Sequence, residues 1–529
     1  MPTHPEPAAV ALASEVPAPP ILASIVATIG PASDSPETIR RLIAGGVAVF
    51  RFNFSHGGFD AHERRLKAVR ETAESMGVQV ACLGDLQGPK IRVGTIPAGV
   101  GETSSSGGGS VVVAVGQDVV FSRNVDLASV RAGDLGPEPV LPVTYPALVD
   151  EVTIGQKVLI NDGAIRMLAV ESNPARGELR CRVTVGGRIT SGKGINLPQS
   201  VLSAPAVTEQ DWACVEWAVR HGLDFLALSF VRTADEVRAL KAHLDGVYER
   251  REGPWIPVVS KIEMPAAVAN LDAIVDASDA VMVARGDLGV EMDLAQVPVV
   301  QKRIVRTCAL YGKPCIVATQ MLESMIENAS PTRAEASDVA NAILDGADAV
   351  MLSAETATGR HPALVVETMA RIVDAAETLQ RERNDPHAAP TRLTASHRGT
   401  AALAQGAYSI AHDLRAVAVV CWSENGGTAR YLSQNRFHIP IIACSSDARA
   451  CRRMALLRSV TPICMTPPGT GTLSEWNAAM DQYLVAKGIG KPGDAVVLLA
   501  GRPLGQAKKT NTLTIHKIGE ATGFTQLLA

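Results

Sequence analysis

The chain has 529 residues, 47% of them hydrophobic and 20% charged, which is apolar material for two to four packed cores and too little charge for a disordered polypeptide. Its formal net charge of −4, from 50 Lys and Arg against 54 Asp and Glu, excludes the overall basic field that recruits nucleic acid or acidic membrane, so any anion site is local. Nine cysteines with no C-x-x-C pair read as reduced core residues of a soluble, cytoplasmic protein with neither nucleic acid nor membrane as partner.

Residues 1–20 contain six prolines and no Lys or Arg, so they read as a disordered leader rather than a signal peptide. From Ser24 onward, short apolar runs alternate with helical patterns, the signature of strand–helix units and a parallel sheet. Eight such runs are predicted: 24–29, 47–55, 78–85, 225–232, 257–263, 279–287, 315–320 and 348–356. Their polar ends, Asn53, Asp85, Ser229, Lys261, Asp287, Thr319 and Ser353, follow one another at 26 to 34 residues except for one interval of 144. A strand–helix unit needs roughly 25 to 35 residues, so an inserted domain of short alternating β segments is expected at 93–198, shaped as a small β-barrel or sandwich. Removing it leaves 21–92 and 199–382, close to the roughly 250 residues of an eight-stranded (β/α) barrel. Within that barrel, 331–346 reads as a helix, with Pro near its start and Gly at its stop. The segment 383–529 is expected to form a separate α/β domain with strands at 416–423, 440–446, 460–465, 494–501 and 513–518. The tip 104–110 reads as a flexible loop.

Barrel chemistry gathers at the carboxyl ends of the strands, where these polar residues would converge beneath the insert. Lys261 and Glu263 lie two apart, hence on one face of a strand. Taken alone, a K-x-E pair on a strand reads first as a structural ion pair; its neighbours change that reading. Glu263 and Asp287 can offer two oxygens to one hard divalent cation, Mg²⁺ by preference or Mn²⁺. In RFNFSH, residues 51–56, Arg51, Asn53 and Ser55 share a face while the phenylalanines pack behind. Taken together, Arg51, Arg92 and Lys261 as cations, two acids for a metal, and the hydroxyls of Thr319 and Ser353 suit phosphoryl transfer, in which positioning and charge stabilisation dominate.

The residues also carry a resemblance. ATIGPAS (27–33), RFNFSHG (51–57), GPKIR (88–92), SKIE (260–263), VARGDLG (283–289), ATQMLESM (318–325), PTRAEASDVANAILDGADAVMLSAET (331–356) and TNT (510–512) resemble the pyruvate kinase family over essentially the whole chain after the leader. The resemblance implies the substrates phosphoenolpyruvate and ADP and an Mg²⁺ ion on Glu263 and Asp287. It implies that Lys261 neutralises the transferring phosphoryl group and enolate and that Arg51 holds phosphate. Gly286 and Thr319 would contact the substrate carboxylate, and Thr319, Ser353 and Glu355 mark the region that protonates the enolate, without singling out one donor. A plain cap or core-hydroxyl role stays open for Thr319 and Ser353. Asn53, His56, Arg92 and Lys193 match positions near the nucleotide phosphates, and the insert would act as a lid. A homotetramer is implied as well.

Asn53, Ser55, Asp85 and the Leu86 carbonyl match the family's potassium site, yet Lys90 stands where potassium-dependent members carry Glu. This resembles the potassium-independent branch, since a tethered ammonium can replace K⁺; Lys90 as a solvated surface residue is the plainer alternative. Ala354 replaces the family's usual Gly. In the last domain, Ser423, Asn425, Gly427 and Thr428 belong to a turn before a helix that resembles an allosteric phosphate loop, over which Arg502, Lys508 and Lys509 could close, so a phosphorylated effector is expected. Two other readings remain open: a pyruvate-enolate lyase or aldolase on the same barrel, and a non-catalytic sugar-phosphate sensor.

Overall fold

The structure, a computed structural model, describes residues 21–520 except 101, 104–108, 252–255, 384–388, 394, 470–471, 502–503 and 506–509, and it leaves out the side chains of 102–103, 248–251 and 395–397. The predicted leader, most of the 104–110 tip, and Arg502, Lys508 and Lys509 lie outside the described residues.

Eight parallel strands close into a barrel in chain order. They are β1 (Ser24–Thr28), β2 (Val47–Asn53), β3 (Ala81–Asp85), β4 (Phe225–Leu228), β5 (Val258–Ile262), β6 (Ala280–Ala284), β7 (Cys315–Ala318) and β8 (Ala349–Leu352). Both faces of each strand are covered, which is why their sequences read as continuous apolar runs rather than alternating ones. Val26, Val49, Leu83, Val259, Met282, Ile316 and Met351 fill the interior, while Ile25, Phe50, Phe52, Val258, Val281, Val317 and Val350 pack against the surrounding helices. Phe50 and Phe52 on the outer layer leave Arg51 and Asn53 on the inner face, as the alternation in the sequence requires.

Two strands are shorter than their apolar runs. The run 279–287 stops at Ala284 and the run 348–356 at Leu352, because the helices Arg285–Glu291 and Ala354–Ala357 begin almost at once. Asp287 and Glu355 then sit in first helical turns, where the positive end of the helix favours a carboxylate. The helix expected at 331–346 runs Arg333–Leu344, and Thr332 and Glu335 cap it reciprocally, which satisfies two otherwise orphaned N–H groups.

The strands that follow β3 and precede β4 belong to other sheets. The expected small β-barrel takes the form of a seven-stranded and a three-stranded sheet wrapped on one core that includes Val111, Phe121, Leu141, Ile160, Val183 and Ile189. Further on, β9 (Ala418–Trp422), β10 (Ile441–Ser445), β11 (Val460–Cys464), β12 (Ala495–Gly501) and β13 (Thr510–Lys517) form a sheet in the order β11-β10-β9-β12-β13. Only β13 runs antiparallel to its neighbour. One face of this sheet packs Val419 and Cys421 on Ala404, Ala407 and Leu432, and the other packs Val420 and Trp422 on Trp476 and Met480. The C-terminal domain also reaches the barrel: Leu456, 1% exposed, belongs to the interior core of the barrel, and the Ser24 hydroxyl donates to the Ala455 carbonyl at 2.9 Å.

Eight of the cysteines are buried and free, and Cys464 is exposed. Among the described residues, no helix is long and apolar enough to cross a membrane.

Candidate active site

At the carboxyl ends of β2 to β6 a cavity of about 230 Å³ opens, lined by Arg51, Asn53, Ser55, His56, Asp85, Leu86, Gln87, Lys90, Arg92, Ser229, Phe230, Lys261, Glu263 and Asp287. Asp85, 1% exposed, is its pivot. One oxygen accepts from Arg51 Nε at 2.7 Å and the other lies 3.3 Å from Lys261 Nζ. The Lys261 ammonium also sits 2.9 Å from Glu263 Oε1 and donates to Ser229 Oγ at 2.7 Å, and that hydroxyl donates onward to the Leu86 carbonyl at 2.7 Å. Arg51 is steadied from its other end by Thr28 Oγ1 at 3.0 Å.

The electrostatics follow from this packing. Burial alone would strip the proton from Lys261, but Asp85 and Glu263 outweigh it and hold the ammonium above its ordinary pKa. Burial would likewise protonate Asp85, and Lys261 and Arg51 overcome that to keep its carboxyl below the usual range. Glu263 goes the other way. Burial pushes it up to about 7 against the pull of Lys261, with the charge of Asp287 adding to the rise. Its Oε2 accepts from the Phe230 amide at 2.5 Å, whereas Oε1 is buried and takes part in no aligned hydrogen bond. A buried, under-coordinated carboxylate oxygen sharing a cavity with a second carboxylate suits a hard divalent cation, so Glu263 and Asp287 fit the expected metal. Among the described residues, no group of three or more His, Cys, Asp or Glu side chains forms a metal cluster, so other oxygens would have to complete the shell.

The backbone is bent to make this arrangement. Phe230, Thr319 and Gln320 adopt φ of 53°, 71° and 54°, the left-handed region that non-glycine residues enter at a cost and that gathers at functional sites. At Phe230 the bend aims the amide at Glu263. At Thr319 it brings Oγ1 to the Gly286 amide, from which it accepts at 2.7 Å.

Other predicted residues are placed differently. Gly286, Thr319, Ser353 and Glu355 do not line the cavity. Glu355, 2% exposed, accepts from the Ser353 amide at 2.6 Å and the Leu322 amide at 3.3 Å, and Ser353 Oγ is buried without a hydrogen-bond partner. Asn53 Oδ1 accepts from the Ser55 amide at 3.1 Å. Lys90 lines the cavity, and its Cε would lie 3.3 Å from a Cβ at Gly194 on the insert. Arg92 donates to the Gly192 carbonyl at 2.9 Å. Lys193 is not brought into the cavity: its ammonium donates to Asn161 Oδ1 at 2.8 Å within the insert, a side-chain partnership that chain spacing cannot reveal. In the turn expected to bind an effector, Gly426 takes φ 79°, Ser423 Oγ accepts from the Ala429 amide at 3.2 Å, and Thr428 shares a hydrogen with Thr510 at 2.6 Å. Asn425 and Gly427 are exposed. The Glu424 carboxylate, which accepts from Trp422 Nε1 at 2.8 Å, puts a negative charge in that turn.

Two contributors went unassigned in the sequence. Ser229 was legible only as a polar strand end, and its link between Lys261 and Leu86 needs the barrel closed. Arg285, 8% exposed, donates to Asp338 at 2.7 Å and to the Thr319 carbonyl at 2.7 Å, bracing the turn that carries Gly286; its place beside Gly286-Asp287 was the only available signal.

A closed (β/α)8 barrel with cations and acids crowded at its mouth is the architecture of a barrel enzyme. Residues 22–366 match the family model of the pyruvate kinase barrel domain, and 401–516 that of the pyruvate kinase alpha/beta domain. The chain is 41% identical over 502 residues to a pyruvate kinase of Corynebacterium efficiens, covering 94% of this chain and 98% of the relative. It is 38% identical over 499 residues to one of Mycobacterium tuberculosis, with coverage of 94% and 98%. A crystal structure of a pyruvate kinase from Cryptosporidium parvum superposes with a TM-score of 0.82 at 31% identity, covering 94% of this chain and 96% of that one. The chain belongs to the pyruvate kinase family and is an enzyme of that kind.

Proposed function

We propose that the mouth cavity transfers the phosphoryl group of phosphoenolpyruvate to ADP, giving pyruvate and ATP. The observation that carries this reading is the buried cluster of Lys261, Asp85 and Glu263, joined on one cavity by Arg51 and Asp287. Arg51 and Lys261 place fixed positive charge where phosphoryl and enolate oxygens gather, and such preorganised charge costs no rearrangement during the reaction. The phosphorus–oxygen bond to the enol breaks, a terminal oxygen of ADP takes the phosphoryl group, and the enolate carbon then accepts a proton. Mg²⁺ or Mn²⁺ held by Glu263 and Asp287 would supply Lewis-acid stabilisation of the same oxygens. Gly286 and Thr319 would receive the substrate carboxylate, and Thr319, Ser353 and Glu355 form the proton-donating region. Asn53, His56 and Arg92 hold the nucleotide phosphates, and Lys193 joins them when closure of the insert exchanges its bond to Asn161.

Lys90 takes the place of K⁺ in this reading, supported by its position on the wall that also carries Asn53, Ser55, Asp85 and Leu86. We assign 21–92 and 199–382 to the catalytic barrel, 93–198 to the lid and 383–529 to a regulatory domain whose turn at Ser423, Asn425, Gly427 and Thr428 binds a phosphorylated effector in a homotetramer. The test follows ADP-dependent pyruvate formation with Mg²⁺, with and without K⁺, beside Lys261→Met. Turnover by the wild type in K⁺-free buffer is expected; its absence with K⁺ present overturns the transfer reading, and strict dependence on K⁺ overturns the role of Lys90. Sedimentation with and without a phosphorylated sugar checks the assembly and the effector.

A further inference from the structure

The insert joins the barrel through a narrow neck. The outgoing segment 91–93 and the returning segment 193–195 hydrogen-bond to each other in an antiparallel bridge, Val93 N to Lys193 O at 2.8 Å and Ile195 N to Ile91 O at 2.8 Å, so they move together. The next residue, Asn196, is 8% exposed, and its side-chain amide donates to Glu291 Oε1 at 2.8 Å. Glu291, 5% exposed, ends the helix Arg285–Glu291, whose first turn bears Gly286 and Asp287. Its second oxygen, Oε2, is buried without a partner.

Glu291 also stands between two spaces. It lines a small cavity of about 40 Å³ with Lys90, Asn196, Phe230 and Met264, and it lines the outer cleft of about 860 Å³ between the insert and the barrel. Lys90 and Phe230 are walls of the mouth cavity as well. A buried carboxylate that gives one oxygen to the neck and keeps the other unsatisfied is expensive to hold in place for packing alone.

We propose that Glu291 is a positioning residue, a latch on which the neck pivots. Through Asn196 it couples the tilt of the insert to the helix that presents Gly286 and Asp287, so the nucleotide side of the lid and the acidic side of the mouth reach their working arrangement together. This rests on the phosphoryl-transfer reading and names a residue that acts through others rather than on substrate.

The test uses the full chain with Glu291→Ala, Asn196→Ala, the double variant and Glu291→Gln, whose amide oxygen can still accept from Asn196. Loss of one buried hydrogen bond predicts a rise of up to about tenfold in the KM for ADP in each alanine variant. The KM for phosphoenolpyruvate, held by the braced start of the same helix, should rise by a smaller factor than that for ADP, and the double variant should be no worse than the single ones because they break one shared contact. Amide hydrogen exchange across 158–196 should quicken in the alanine variants while the barrel strands stay protected, and Glu291→Gln should behave as wild type in both measurements. A wild-type KM for ADP in Glu291→Ala, equal impairment of the Gln and Ala variants, or faster exchange throughout the barrel would each overturn the latch. If the wild type forms no pyruvate, the transfer reading fails, and the exchange pattern alone still decides the latch.

Discussion

The two ends of the barrel hold buried charge in opposite ways. At the mouth, Lys261 serves two carboxylates at once and Glu263 keeps an oxygen without an aligned donor. At the floor, Asp224, Asp348 and Glu377 are saturated by arginines, most of them from the C-terminal domain, together with backbone amides and a glutamine. Asp224 takes Arg70 at 2.6 Å, Arg452 at 2.9 Å and the Cys82 amide at 2.8 Å. Asp348 takes Arg436 at 3.1 Å, Gln434 at 3.0 Å and the Cys315 amide at 2.8 Å. Glu377 takes the amides of Leu22 and Ala23 at 2.8 and 2.7 Å, with Arg458 at 3.6 Å. The acids kept for structure have both carboxylate oxygens occupied, whereas Glu263 at the mouth is left with capacity for a ligand.

This contrast can be broken from either end. The largest effect is expected at the mouth: Lys261→Met should lower kcat by about a thousandfold, as removal of a preorganised donor to developing charge does, while circular dichroism shows an intact fold. At the floor the order reverses. Asp224→Asn leaves Arg70 and Arg452 facing a neutral group, and after discounting for their partial exposure it should cost about 3 kcal/mol in urea unfolding, with kcat of the folded fraction preserved. Leu456→Ala, which opens a void beneath the barrel interior, should cost about 2 kcal/mol in the same measurement. A floor variant that lost turnover without losing stability would erase the distinction.

The smallest effect comes from the packing behind the mouth. His62 is 3% exposed among Phe52, Phe54 and Trp217; burial first, and Arg65 second, lower its pKa. The unfolded chain binds a proton near pH 6.5 that the folded chain refuses, so stability should fall as pH drops through about 6.5 and continue falling toward the depressed folded value. His62→Leu should flatten that slope in unfolding curves recorded between neutral and mildly acidic pH.

Much of the mouth was legible in the sequence because strand alternation and strand-end position are local properties. Arg51, Asn53 and Ser55 share a face whenever the phenylalanines between them are buried, and Lys261 and Glu263 must point together. The floor was not legible: Asp224 with Arg452 and Asp348 with Arg436 join residues 228 and 88 apart in sequence, and no periodicity announces such pairs. The same holds for Asn196 with Glu291, and for Lys193, whose partner Asn161 comes from another strand connection of the insert. The early ends of β6 and β8 were missed for a different reason, since an apolar run cannot show where a helix takes over.

Leu456 has one more consequence. The layers of side chains that fill the barrel, closed below by Leu456, leave no passage through the cylinder, so whatever comes in above must leave by the same doorway. Substrate and product traffic then share one aperture, so an insert acting as the proposed lid would, if shut too long, delay release as effectively as it keeps out water.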